Sequence, residues 1–148
     1  MYQNITSINE RAYKVFKLLA DYARKGKGGA VEIKRASEFM PLYVAIIQTV
    51  SDAEEWVSLA HYGEEQGDLM RDPEMMFYHD RKEGKAYAMT FRDDYAGTWE
   101  DSIKPDTDGR PWKVSPARQK HHTAFAEVWL KNIKSQQNIK EYMDYGIF

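Results

Sequence analysis

The chain has no cysteine among its 148 residues. Disulfides, thiolate zinc sites, iron–sulfur clusters and a cysteine nucleophile are therefore excluded. It also lacks long apolar runs: none approaches the roughly 20 residues of a membrane helix, and the mean hydropathy is −0.71. The opening residues, MYQNITSINERAYK, lack the charged-then-apolar order of a signal peptide, so a cytoplasmic protein is expected. Neither sign of charge dominates, since the formal net charge is −2, and bulk attraction to nucleic acid is not expected. No GxSxG, GxGxxG, Walker or HExxH pattern occurs. What the chain does hold is aromatic residues, 14% of the total. That is enough for a packed core and argues against disorder. The length suits a single domain over 1–148.

The small net charge hides blocks. Arg11, Lys14, Lys17, Arg24, Lys25, Lys27, Lys34 and Arg35 face only Asp21 and Glu32 in their segment. Asp52, Glu54, Glu55, Glu64, Glu65, Asp68, Asp72 and Glu74 then face Arg71 alone. From Arg110 to Lys140 the charge is basic again except for Glu127. Two readings are open: basic helices neutralising an acidic centre inside the molecule, or a charged face kept for a partner.

Periodicity supplies the elements. Ser7 to Lys25 reads as an amphipathic helix, with Ser7 and Glu10 as a capping box and Ile8, Ala12, Val15, Phe16, Leu19, Tyr22 and Ala23 as its apolar stripe. Gly26 supplies the stop. Strand candidates follow at Ala30–Ala36, Leu42–Val50, Glu55–Tyr62, Met75–His79 and Ala86–Phe91. Ser51–Glu54 and Asp80–Lys85 are short enough to be hairpin turns. Gly63–Pro73 reads as an acidic connection between hairpins, and Arg92–Val114 as irregular. A second helix begins at Ser115 and Pro116, with Ala117, His121, Ala124, Phe125, Val128, Trp129 and Ile133 as its apolar face. The tail Asn138–Phe148, with Tyr142, Met143, Tyr145, Ile147 and Phe148, is expected to pack on the core or on a second subunit. The fold class is α+β: an antiparallel sheet of about four to five strands flanked by an N-terminal and a C-terminal helix.

The acidic connection is the first candidate site. It offers His61, Glu64, Glu65, Asp68, Asp72 and Glu74 within a short stretch. Such a loop suits hard cations, which take several oxygen ligands, or paired carboxylates with divided acid and base roles. No ligand spacing here matches a metal loop, and Gly67 and Pro73 also read as turn punctuation. Asp106-Thr-Asp108-Gly109 echoes an EF-hand loop, but the first ligand would be Lys104 and the twelfth Ser115, so a turn is expected. His121, on the apolar face, reads as a hydrogen-bonded core residue. Trp112-Lys113 and Trp129-Leu-Lys131 interleave aromatic and basic residues as single-strand binders do, but fit core packing with snorkelling lysines as well.

Ser58-Leu-Ala-His61-Tyr62, Glu64, Gly67-Asp68-Leu-Met70, Asp72-Pro-Glu-Met75 and Phe77 resemble the motif SLAHYxExxGDLMxDPEMxF of a family of uncharacterised small proteins. The family is classed as a domain of unknown function and is carried by bacterial mobile elements and phages. Tyr87–Phe91 with Asp94–Gly97, and Trp129–Lys134, resemble its following strand and turn and its terminal helix. Gly63 stands where the family usually has an aromatic residue, and Glu65-Gln66 replaces Gln-Asn. The resemblance implies a phage or mobile-element setting and a bacterial cytoplasm, and supplies no activity and no cofactor.

Two functional readings stay open. One is an accessory protein that binds a host or element protein through the acidic loop, with His61, Glu64, Asp68, Asp72 and Glu74 as candidate binding residues. The other is a small hydrolase or nucleotide-handling enzyme, with or without Mg²⁺, in which His61, Asp68, Asp72 and Glu74 converge on one pocket. A homo-oligomer sealed by the aromatic tail is a third.

Overall fold

A computed structural model describes residues 4–35 and 38–139. Helix α1 (Glu10–Lys25) opens the fold. Its N-cap is Asn9 rather than Ser7: the Asn9 side chain accepts from the Ala12 amide at 2.8 Å. Ser7 lies on an incoming strap, held where the Ile8 amide donates to the Ala86 carbonyl and the Thr6 amide to Gln119. Arg24 and Lys25 complement the negative helix end, and the Gly26 amide closes the last turn on the Ala23 carbonyl.

Strands β1 (Ala30–Ile33), β2 (Leu42–Thr49), β3 (Glu54–Glu65), β4 (Asp68–Asp80), β5 (Lys85–Asp93) and β6 (Thr98–Asp101) follow. They form one six-stranded antiparallel meander in sequence order. The sheet thus exceeds the expected four to five strands. A separate two-stranded hairpin, β7 (Ile103–Pro105) and β8 (Pro111–Val114), leads into α2 (Pro116–Gln136). The segment expected to be irregular therefore contains three short strands.

Each sheet face carries its own core. On one face Val44, Val57, Leu59, Met75, Phe77 and Ala88 meet Phe16 and Leu19 of α1 and Ala126, Leu130 and Ile133 of α2. On the other, Tyr78, Tyr87 and Met89 meet Ile103, with Trp56 and Val114 packed around them. The β7–β8 hairpin covers only one end of that second face, pinned where the Trp56 indole donates to the Gly109 carbonyl at 2.7 Å. Among the described residues the other end stays open.

Two corrections concern local phase. Gly63–Pro73 is not a connection: β3 and β4 run through it and meet at a two-residue turn, Gln66-Gly67, with Glu65 opposite Asp68. Both turn residues have positive φ, 53° and 88°, the pattern of a type I′ hairpin turn. Helix α2 is rotated from its expected phase. It buries Gln119, His122, Thr123, Ala126, Trp129, Leu130 and Ile133, while Ala117, His121, Ala124, Phe125 and Val128 are exposed. The polar members of the buried face have partners. Gln119 bonds the Thr6 amide and carbonyl, and the Thr123 hydroxyl donates to the Gln119 carbonyl. The Ser115 side chain makes no cap bond. The expectation for the tail lies, beyond the buried Ile139, outside the described residues.

Candidate functional site

The candidate residues are spread along the β3–β4 arm. Beyond Tyr62 and Arg71 the two strands pair only with each other, so the arm runs past its neighbours. Cross-strand partners share a face, and so do residues two apart. Tyr62, Glu64, Leu69 and Arg71 therefore lie on the open face, together with Glu74, which pairs with Ala60. His61 points the other way, under α2.

His61 is 6% exposed. The Trp129 indole, which can only donate, lies 3.4 Å from His61 Nδ1 with the rings edge to face. The proton is thereby assigned to Nε2, which has no partner among the described residues. Burial pushes the His61 pKa below its ordinary value. Glu64 and Asp68 stand exposed at the arm's end with Glu65, and none of the three is in an ion pair among the described residues. Asp72 sits in the bulge opposite His61, before the cis bond to Pro73. Burial, helped by Asp93, raises its pKa. Glu74 lies 3.6 Å from Arg71. The arm thus distributes these side chains over two faces and an exposed end, and among the described residues brings only Glu74 together with a partner of opposite charge, Arg71. Among the described residues no group of three His, Asp or Glu is placed to hold a metal ion. A β-carbon at Gly63 would require the half-exposed Tyr95 side chain, whose hydroxyl lies against this position, to move aside.

The charge blocks resolve in two parts. Near α1 they cancel internally: Arg24 clamps Glu55 with two hydrogen bonds, at 3.1 and 2.6 Å, and also bonds Asp21. Glu55 accepts from His79 Nδ1 at 2.9 Å, and His79 Nε2 meets the Tyr13 hydroxyl at 2.8 Å. Burial alone would raise the Glu55 pKa, but the His79 and Arg24 hydrogen bonds hold it down to about 2. The hydroxyl–imidazole–carboxylate order is that of a nucleophile relay. The imidazole is fully buried and lies edge-on to the Tyr13 and Phe16 rings, and the chain of bonds forms a clasp joining α1 to β3 and β4; burial first pushes the Tyr13 phenol up to about 12. At the arm's end no such cancellation occurs among the described residues.

Sequence reasoning also missed a cluster on the open face. Register runs Glu32, Tyr43, Ala60, Glu74, Arg92, Trp99 across all six strands. The guanidinium carbons of Arg71 and Arg92 lie 5.1 and 4.9 Å from the Trp99 ring centre, and the indole donates to Asp94 at 3.2 Å. Arg71 pairs with Asp94 and Glu74, and Arg92 with Asp101 at 2.5 Å. Tyr43 and Tyr62 touch edge to face at 5.4 Å. The histidine expectation is corrected as well: His122, not His121, is buried, stacked on Phe91 and bonded to Glu100 at 2.9 Å.

These features define an α+β domain with both helices on one sheet face, a half-covered second face and an acid-tipped β-arm. The chain belongs to a family described as a domain of unknown function, DUF6908, whose model matches residues 11–139. No curated protein and no solved structure matches it. Among the described residues no helix is long and apolar enough to cross a membrane.

Proposed function

We propose that the protein is an accessory protein of a phage or mobile genetic element, working in the cytoplasm of a bacterial host by binding a host or element protein through the β3–β4 arm. The setting comes from the motif resemblance; the mode of action comes from the arm. The observation that carries it is the arm's end, where Glu64, Glu65 and Asp68 lack ion-pair partners among the described residues beside Leu69, 73% exposed. A type I′ turn sets the backbone spacing of these residues, so the ribbon itself need not rearrange on binding. Uncompensated carboxylates steer a basic partner and raise its association rate, and an exposed leucine gives it apolar surface to bury. Because His61 and Glu74 point to opposite faces of the arm and Asp68 stands at its exposed end, no reaction is assigned to these residues.

Pull-down from a bacterial host with wild type and with the Glu64→Gln, Asp68→Asn, Asp72→Asn variant tests this reading. The variant is expected to lose a partner that wild type retains. Equal recovery of every partner overturns the reading.

A further inference from the structure

The open half of the second sheet face is unpartnered among the described residues, yet its largest side chain is fixed in place. Trp99 is 62% exposed. Isolated exposed tryptophans turn freely, but this one is held by its indole bond to Asp94 and by two guanidinium groups. Each guanidinium is itself tied down, Arg71 by Asp94 and Glu74, Arg92 by Asp101 and the Glu100 carbonyl. The residue keeps this exposure even with the two guanidinium groups over its ring. Tryptophan and arginine dominate interface hot spots, and a side chain ordered beforehand loses little entropy on binding.

The same face runs on without interruption to the arm. Arg71 sits beneath Trp99 and shares its face with Leu69 two residues away, and Glu64 lies opposite Leu69. On the far side Tyr43 and Tyr62 continue the apolar surface. The charge left on this surface is of one sign. Arg71 and Arg92 are matched by Glu74, Asp94 and Asp101, while Glu64 on this face has no ion-pair partner among the described residues; Glu65 and Asp68, on the opposite face of the ribbon, add unmatched negative charge at its tip.

We infer that this sheet face, with Trp99 and Leu69 as its two apolar anchors, is the main docking surface for a basic protein segment that carries apolar side chains between its lysines and arginines. The inference rests on the partner-binding reading above and moves the energetic centre from the arm's carboxylates to the sheet. The carboxylates then set the charge of the partner and the rate of encounter, and Trp99 sets the lifetime of the complex. A phosphate-bearing strand would meet the unmatched acids and is disfavoured, although the exposed indole would suit base stacking.

Selection of random short peptides displayed on a surface, against the full chain, tests this without presuming a sequence. Enriched peptides are expected to be basic with interspersed apolar residues. Trp99→Ala is expected to weaken them about tenfold or more, and Trp99→Phe to recover part of the loss. The Trp99 indole proton should shift in NMR spectra on titration with an enriched peptide. Selection of acidic or uncharged peptides, no enrichment, or unchanged affinity in Trp99→Ala overturns the inference. A Glu64→Gln, Glu65→Gln, Asp68→Asn variant separates the two proposals. If it loses binding while Trp99→Ala keeps it, the arm reading stands and this inference falls. If it binds the peptides as wild type does, the charge argument falls, and the arm reading with it. Sedimentation of the free protein and titration with oligothymidylate complete the test. Self-association abolished by Trp99→Ala makes a second copy the occupant, and retention of the oligonucleotide at Trp99 makes it a nucleic acid; either overturns the inference.

Discussion

His61 and Glu55 are both withdrawn from water and are kept in opposite states. No described residue stabilises charge on His61, so burial holds its pKa below the ordinary 6.5 and the ring stays neutral. Glu55 is ionised because His79 and Arg24 outweigh its burial, and its pKa falls from 4.5 to about 2. Both shifts are downward, so both contributions to stability are full at neutral pH. For His61 the unfolded chain takes up a proton first as pH falls below 6.5, and stability erodes from there toward the lower folded value. For Glu55 the loss runs from about 4.5 to about 2 and amounts to roughly 3 kcal/mol. Thermal unfolding followed against pH is therefore expected to show two limbs, both descending toward acid. His61→Phe, which keeps a ring against Trp129, should flatten the upper limb and leave the lower one. An unchanged slope between pH 7 and 5.5 in that variant means His61 is not the titrating group.

At the scale of elements, legibility followed how each residue type is used. β1 was readable because Val31 and Ile33 alternate with Glu32 and Lys34, β2 because Leu42–Val50 is a nearly continuous apolar run, and α1 because one stripe of it is apolar. The arm was not readable: both its faces meet solvent at the end, so Gly63, Gly67 and the acids carry no alternation and read as a loop. Trp99 and its two arginines come from three strands and meet only through register. Helix α2 misled for another reason. It carries two stripes with apolar residues, and the one with Phe125 41% and Val128 60% exposed faces outward. The inward stripe contains Gln119, His122 and Thr123, polar residues whose hydrogen bonds hold the incoming strap and Glu100. Substitution distinguishes the phases. Ala126→Leu should overpack the core and cost about 1–3 kcal/mol, while Val128→Lys should stay within about 0.5 kcal/mol, both by urea unfolding. The expected sequence phase predicts the reverse order.

For the whole molecule, the two cores are unequal. The helix-side core joins both helices to five of the six sheet strands, whereas the second core holds only Tyr78, Tyr87, Met89 and Ile103, with a few partly buried neighbours. A sheet with one fully covered face can stay folded while the smaller cover lifts. The β7–β8 hairpin is held by the Ile103 side chain, by the Trp56–Gly109 bond and by Ser102 and Ser115, whose amides donate to the Met89 and Ser102 carbonyls. Opening it exposes that small core and leaves α1, α2 and the meander packed. Amide hydrogen exchange should detect the difference through a substitution outside the hairpin. Val57→Ala removes buried surface from the helix-side core, at a cost of about 2 kcal/mol. That cost applies equally to the closed molecule and to one with only the hairpin lifted, because Val57 is buried in both. The amides of α1 and β3, which exchange by global unfolding, should accelerate roughly 30-fold, while those of Ile103 to Val114 keep their wild-type rates. Parallel acceleration of both sets would show that the hairpin opens only when the whole sheet does.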